Sequence, residues 1–275
     1  MMSNRNIDAV LDSYSVYLRR DDKKTADRFV RTRKSDRESA LAEAITYQFL
    51  KTVGARPEIN DKVGIGGPDF LCCASRFRRM PQDEFFVEAT SLGLNAVTER
   101  SGLSSEMPKG ISGRALGLVT ENLCNKAKAK NRKFKNCIKP TVLAIVSSHL
   151  HGALLLDAHA AETALISGIH WRHEIGSEVA DPNCYTDLKD SVFMRPGPNG
   201  SIEACRQNLS AILLISVYLD HSEVFGILHP EPKIPLNVAL LPNLPFIRIA
   251  KWPVVDGKIW TEWVIGRPKG LRIPH

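Results

Sequence analysis

The chain of 275 residues has only six cysteines, and no two of them are spaced as a CxxC pair. The sequence therefore indicates neither a zinc ribbon nor the disulfide framework of a small secreted domain. No apolar run approaches the length of a membrane span, and the first residues lack the positive-then-apolar pattern of a signal peptide. We expect no membrane partner and a cytoplasmic location. No internal repeat is visible either.

Acidic residues are fewer than basic ones, 30 against 37, which gives a formal net charge of +7 and a sequence pI near 9.1. This balance favours a polyanionic partner, and nucleic acid is the one we expect. A hydrophobic content of 43% is ordinary for a globular fold. We divide the chain into a charged helical lead-in, 1–34, and a single domain, 35–275. Within that domain we distinguish a core, 35–148, from a C-terminal extension, 152–275.

Two carboxylates are predicted near the edges of adjacent strands. Asp69 follows a Gly-Gly-Pro turn and leads into an apolar run, while Glu88 lies inside 85–89, a segment with β-propensity. By alternation, Glu88 and Thr90 share one face of this strand, opposite an apolar layer. A hairpin would bring Asp69 and Glu88 together, as a site for Mg²⁺, or Mn²⁺ in its place, requires. Alternatively, Asp69 caps a turn and Glu88 makes an ordinary salt bridge.

A helix is predicted over 35–52, with Ser35 or Asp36 as its N-cap. Apolar residues surround most of it, which indicates packing on more than one side. Glu38 lies beside one apolar stripe and Glu43 beside the other. Either carboxylate could lie near the sheet, and the helical periodicity does not choose between them.

A second, basic helix is predicted over 117–135, ahead of a buried strand at 141–146. Its lysines could bind a phosphate backbone through counterion release, or they could form a solvated surface. Lys126 stands one turn after an apolar leucine, so we expect it to reach inward, with Lys128 and Lys130 as alternatives.

The order of these parts resembles the PD-(D/E)xK, or restriction-endonuclease-like, nuclease superfamily: a helical Glu, then PD, then ExT, then a helix with Lys and a buried strand. The resemblance implies an α/β fold with a central mixed β-sheet flanked by helices. It also implies a metal-dependent endonuclease that hydrolyses phosphodiester bonds in DNA. The implied metal ligands are Glu43, Asp69, Glu88 and the backbone carbonyl of Ala89, and the implied cofactor is Mg²⁺. Within this resemblance Glu43 is preferred to Glu38.

The chain departs from the family where a lysine usually stands two residues after the strand acid, because Thr90 occupies that position. In variants of the superfamily the lysine comes from a neighbouring helix, and Lys126 resembles that arrangement. Thr90 can orient a water molecule but supplies no positive charge. The alternative function is therefore a catalytically inactive protein of this fold that binds nucleic acid or a partner. DNA versus RNA, and a possible homodimer, stay open.

Beyond the core, apolar residues at 210–220 and 223–228 flank a turn-like Asp-His-Ser and predict a hairpin that extends the sheet. The segment 174–200 is rich in Pro, Asn, Asp and Gly and predicts a long loop. In the tail, the three tryptophans could stack on bases or pack in the core. These are Trp252, Trp260 and Trp263.

A third function, zinc hydrolysis, is suggested by His149 and His151, because imidazole ligates zinc and titrates near neutral pH. Their place directly after a predicted strand favours loop residues instead. Stoichiometric zinc in the purified protein would identify this function.

Overall fold

The computed structural model has the α/β architecture expected from the sequence: one large mixed sheet flanked by helices. The residues that it describes are 4–61, 67–74, 83–93, 113–148, 153, 155–166, 169–171, 184–186, 188–218, 221–255, 258–264 and 270–274.

Five α-helices lie in the described ranges: α1 (Asn4–Asp21), α2 (Lys23–Ser35), α3 (Arg37–Thr52), α4 (Gly113–Lys133) and α5 (Ala158–Ile166). Aspartates cap two of these helices. The side chain of Asp22 accepts a hydrogen bond from the Lys24 amide at 3.0 Å, and that of Asp36 accepts one from the Ser39 amide at 3.0 Å. Asp36 is therefore the N-cap of the predicted helix, and Ser35 ends the helix before it. None of these helices combines the length and the apolar character needed to cross a bilayer.

Thirteen short strands occur in the same ranges: β1 (Glu58–Ile59), β2 (Phe70–Cys73), β3 (Glu84–Ser91), β4 (Thr141–Ser147), β5 (Ile169–Trp171), β6 (Cys184–Thr186), β7 (Met194–Pro196), β8 (Ile202–Ala204), β9 (Ala211–Val217), β10 (His221–Leu228), β11 (Phe246–Ile249), β12 (Thr261–Trp263) and β13 (Leu271–Pro274). The main sheet has the order β1-β2-β3-β4-β9-β10-β11-β12, and β13 also pairs with β10. Strands β1 to β3 are antiparallel, while β3, β4 and β9 run parallel. One sheet thus contains strands from both the predicted core and the C-terminal extension.

The sheet is covered on both faces. Helices α1, α2 and α3 bury one face, where Tyr14 and Phe29 meet Phe70 and Val87 in a single apolar cluster. Helices α4 and α5 cover the other face, where Leu123 packs with residues of β4 and β9. The predicted lead-in therefore packs into the same core as α3. Continuous burial of β4 and β9 is typical of parallel strands covered on both sides.

Two expectations for the C-terminal half need correction. The predicted hairpin forms as β9 and β10, but His221 and Ser222 already belong to β10 and are not turn residues. The predicted loop 174–200 contains β6, β7 and a 3-10 turn at Pro198–Gly200, with β7 paired to β8. Its residues 174–183 and 187 lie outside the described ranges.

Of the three tail tryptophans, Trp252 and Trp263 pack against the α4–α5 side of the core, whereas Trp260 is 65% exposed. Core packing thus accounts for two of them. The cysteines whose side chains are described are free thiols: Cys72, Cys73, Cys124, Cys137 and Cys205.

Gly226 allows β11 to lie directly against β10. A Cβ at this position would lie 2.1 Å from a ring carbon of Phe246, its partner in the parallel register. We expect Gly226→Ala to lower the free energy of unfolding by about 1–3 kcal/mol, because the buried ring has to shift. Urea denaturation measures this difference. As the matched control, Gly117→Ala in α4 adds a methyl group to open space and should raise stability by about 0.5–1 kcal/mol.

His229 makes stability depend on pH. Its Nδ1 accepts from the Glu231 amide at 2.9 Å, so the proton on Nε2 is donated to the Cys205 carbonyl at 2.8 Å. Burial, with the charge of Arg206, lowers its pKa to about 4. The unfolded chain takes up a proton near pH 6.5, so stability should fall between pH 6.5 and 4, by about 2 kcal/mol at pH 5. Urea unfolding at pH 7 and 5 measures this. His229→Gln should flatten the pH dependence, and His159→Gln, at an exposed position, should leave it unchanged.

Candidate active site

The turn before β2 fixes Asp69 at the edge of the sheet. Gly67 has a φ of +129°, and a Cβ there would lie 2.9 Å from the side-chain nitrogen of Asn60, so the position requires glycine. Asn60 also donates from Nδ2 to the Pro68 carbonyl at 2.9 Å, and its amide donates to the Asp69 carbonyl at 2.9 Å. These bonds tie the Gly-Pro-Asp turn to the end of β1.

Asp69 lies opposite Glu88. Phe70 pairs with Val87 in the antiparallel register of β2 and β3. Continued past the end of β2, this register places Asp69 opposite Glu88 and Pro68 opposite Ala89. The Oδ2 atom of Asp69 accepts a hydrogen bond from the Ala89 amide at 2.7 Å. The Asp69 side chain thus takes the place of a main-chain acceptor at the end of the ladder.

The backbone carbonyl of Ala89 has no donor from β2 at this point. The Ala74 amide, just after β2, donates to the Asp83 carbonyl, whereas the Phe86 amide donates to the Pro140 carbonyl beside β4. The backbone N–H and C=O groups of the odd-numbered residues of β3 therefore point towards β2. The residue opposite Ala89 is Pro68, which has no N–H to donate. The carbonyl oxygen of Ala89 therefore faces the same edge of the sheet as Asp69 and Glu88. The family resemblance implied this oxygen as a metal ligand.

Glu88 lies on the face of β3 opposite Val87, as the alternation predicted, and this face is the one that α4 covers. The Glu88 side chain is 2% exposed, and two lysines of α4 bind it. Lys130 Nζ lies 2.6 Å from Oε1, and Lys133 Nζ lies 2.9 Å from Oε1 and 2.7 Å from Oε2. Each carboxylate oxygen thus has at least one ammonium partner.

Glu43 approaches from α3. The hydroxyl of Tyr14, a buried residue of α1, donates to Glu43 Oε1 at 2.7 Å. Burial, and then the charge of Glu43 and this bond, raise the pKa of Tyr14 well above its usual value, so the hydroxyl stays a donor. The Glu38 carboxylate lies beside Gly93, just beyond the end of β3. Of the two helical acids, Glu43 is the one whose charge raises the pKa of Asp69 and whose own pKa is raised by the charge of Glu88.

The three carboxylates share one electrostatic environment. Burial, and then the charges of Glu88 and Glu43, raise the pKa of Asp69 well above its usual value against the opposing Ala89 hydrogen bond and Lys133. Burial also raises the pKa of Glu43, although the bond from Tyr14 and the charge of Arg28 oppose it. Burial is thus the largest cause of both raised pKa values, and the charges of the neighbouring carboxylates add to it.

Asp61 is a fourth acid at this cluster, and the sequence interpretation did not single it out. Arg28 of α2 holds it, with NH1 3.1 Å from Oδ2 and NH2 donating to its carbonyl at 2.8 Å. The charge of Asp61 contributes to the raised pKa of Glu43. Helices α1 and α2 thus each supply a side chain that holds an acid of the site.

The helix lysines differ in their roles. Lys126, Lys130 and Lys133 share one face of α4, at positions i, i+4 and i+7. Burial and the charge of Lys130 lower the pKa of Lys126, and Asp36 and Glu38 oppose this shift. For Lys133, burial favours the neutral form, but the bond and charge of Glu88 outweigh it and raise the pKa. Lys130 and Lys133, and not Lys126, contact Glu88.

Thr90 is buried two residues beyond Glu88 on β3. The positive charge at Glu88 therefore comes from lysines of α4. In the sequence pattern that the chain resembles, it would come from a lysine at the position of Thr90. In the part of the chain that the structure describes, no group of three or more His, Cys, Asp or Glu side chains is placed to hold a metal ion. His149 and His151 lie outside the described residues.

No protein-family model matches the chain, and neither the curated proteins nor the solved structures contain a match.

Proposed function

We propose that this protein is a metal-dependent endonuclease that hydrolyses phosphodiester bonds in DNA. One observation carries the proposal: Asp69, bonded to the Ala89 amide, and Glu88 lie at opposing positions of neighbouring strands beside the basic helix α4, and the charge of Glu43 acts on Asp69. The order of parts also supports it, because α3, the Asp69 turn, β3, α4 and β4 follow the sequence of the nuclease superfamily that the chain resembles.

The donor set suits a hard cation. Carboxylates of Asp69 and Glu88, with the Ala89 carbonyl and help from Glu43, are the oxygen ligands that Mg²⁺ or Mn²⁺ takes. A bound ion of this kind polarises a phosphate and lowers the pKa of a water molecule. Glu88 already has two lysine partners, so a cation would have to replace at least one of these contacts.

The chain's own cations have a separate task. Lys130 and Lys133 place two ammonium groups beside Glu88, where they would stabilise negative charge on the phosphoryl oxygens. Lys126 lies one turn before Lys130 on the same face, where it would contact the phosphate backbone. In this proposal Thr90 orients a water molecule and carries no charge.

A second function, nucleic-acid binding without catalysis, is favoured by one specific observation. Both oxygens of Glu88 are bound by lysines, which neutralise the acid that a metal ion would need. Salt-dependent DNA binding without turnover would support this function.

The deciding experiment is incubation of the purified protein with supercoiled plasmid, single-stranded DNA and RNA, each with Mg²⁺, Mn²⁺ or EDTA. Cleavage of DNA that requires metal is the expected result. Intact substrates in every lane, together with a salt-sensitive mobility shift, would reject the nuclease and favour the binding protein. Cleavage of RNA alone would change the substrate class. A cytoplasmic location and a possible homodimer remain expectations within this proposal.

A further inference from the structure

The end of α1 and the outward side of α2 carry an excess of positive charge. Six basic side chains are exposed between positions 19 and 34, against two exposed acids, Asp21 and Asp27. Within the described ranges, none of the six takes part in an ion pair. These six form the α1–α2 basic surface: Arg19, Arg20, Lys23, Lys24, Arg31 and Lys34.

Neighbouring arginines of α2 are paired with acids. Arg33 lies 2.5 Å from Asp12 and 3.1 Å from Asp8, and Arg28 lies 3.1 Å from Asp61. The arginines that face other elements are thus neutralised, whereas the outward cations lie beside one another. Like charges three or four positions apart on a helix repel each other. A polyanion bound to this surface would relieve that repulsion.

The α1–α2 basic surface extends towards the lysine face of α4. Hydrogen bonds from Ser39 and, in addition, the charge of Lys126 lower the pKa of Asp36, the residue that directly follows α2. The end of α2 therefore lies near α4 and the candidate active site. From Lys23 to Lys34, α2 extends about 16 Å, which is the length of about five base pairs of a duplex.

This surface offers little apolar area to a bilayer or to a protein. The apolar side chains Ala26 and Phe29 of α2 are buried in the core. Among the described side chains of α1 and α2, Val16 is the one large apolar residue that is exposed, at 49%. A helix that binds a membrane surface needs an apolar face to insert, and the centres of protein interfaces are depleted of charge. Nucleic acid, in contrast, can bind through phosphate contacts alone.

We propose that the α1–α2 basic surface binds the phosphate backbone of DNA without a metal ion. This inference rests on the proposed function for the choice of DNA as the ligand, but it does not require cleavage. It assigns the contacts with DNA that flanks the acids to the two N-terminal helices. Because phosphate contacts carry no sequence information, this surface would bind DNA of any sequence.

The test is binding of a fluorescent DNA duplex by anisotropy in EDTA, over a series of KCl concentrations. The variant Lys24→Gln/Arg31→Gln/Lys34→Gln should bind at least about tenfold more weakly at about 0.1 M KCl. Its plot of log affinity against log salt should be shallower by about 2–3, since each lost phosphate contact removes about 0.9 from the slope. All three side chains are exposed, so the fold should persist, and circular dichroism checks it.

The matched control is Lys233→Gln/Lys251→Gln/Lys258→Gln, which removes the same charge from exposed positions outside this surface. Its slope should stay within about 0.5 of that of the unchanged protein. Equal slopes in the two triple variants would overturn this inference, even if the protein cleaves DNA. The expected loss without any metal-dependent cleavage would support this inference and reject the nuclease.

Sedimentation with vesicles of anionic phospholipid tests the other polyanionic surface. We expect the unchanged protein to bind the duplex and to stay in the supernatant of the vesicles. Vesicle binding that the α2 variant loses, without binding of the duplex, would assign this surface to a membrane and overturn the inference.

Discussion

Glu88→Gln should reduce Mg²⁺-dependent cleavage of plasmid DNA at least about 1,000-fold. A metal ion contributes several kcal/mol of stabilisation to the transition state, and each 1.36 kcal/mol corresponds to a tenfold change in rate. Glutamine keeps the volume of the buried side chain but removes the charge that would hold a cation. Lys130 and Lys133 stay partly exposed, so they can return to water and the fold should persist. Initial rates of plasmid nicking at saturating Mg²⁺ measure the loss, and circular dichroism monitors the fold.

The matched control is Glu84→Gln. Glu84 is also a buried acid on β3, on the same side of the strand as Glu88, and it is held by Lys139 at 2.7 Å. Its replacement should leave the cleavage rate within about twofold of that of the unchanged protein, because Glu84 lies four residues before Glu88 along β3. Asp69→Asn should behave like Glu88→Gln. Full activity in either site variant, with a normal fold, would reject the assignment of these acids.

Local sequence patterns were enough to predict the part of the site that lies on the sheet. The period of two along β3 placed Glu88 on the face opposite Val87, and the structure confirms this. The Gly-Pro turn before an apolar run placed Asp69 at the start of a strand that pairs with β3. Both features depend on residues close in sequence and on one hairpin, so single-sequence rules capture them.

Contacts between distant elements could not be predicted in the same way. Lys126, Lys130 and Lys133 share one helix face, and periodicity does not tell which turn of α4 lies over Glu88. The contacts of Tyr14 with Glu43 and of Arg28 with Asp61 join residues 29 and 33 positions apart. They depend on how α1 and α2 pack against α3.

Composition misled the interpretation of 174–200. Proline, glycine and asparagine are typical of loops, yet β6 and β7 are three-residue strands that pair with β5 and β8. Strands this short leave almost no alternation to detect, and their pairing partners decide whether they form.

The double variant Lys130→Met/Lys133→Met should lower the free energy of unfolding by about 2–3 kcal/mol. It leaves the Glu88 carboxylate, 2% exposed, without either ammonium partner. Breaking a fully buried ion pair costs about 3–5 kcal/mol, and the smaller value applies here because both lysines are about a third exposed. Urea denaturation at pH 7 measures the loss.

Adding Glu88→Gln to that double variant should restore most of the lost stability, because a neutral amide is far less costly to bury unpaired than a carboxylate. The difference between the two backgrounds is the interaction energy of the lysines with Glu88. Lys128→Met/Lys135→Met removes the same charge from exposed positions and should change stability by less than about 0.5 kcal/mol. Equal losses in the two double variants, or no rescue by Glu88→Gln, would show that Lys130 and Lys133 stabilise the protein through their general charge and not through Glu88.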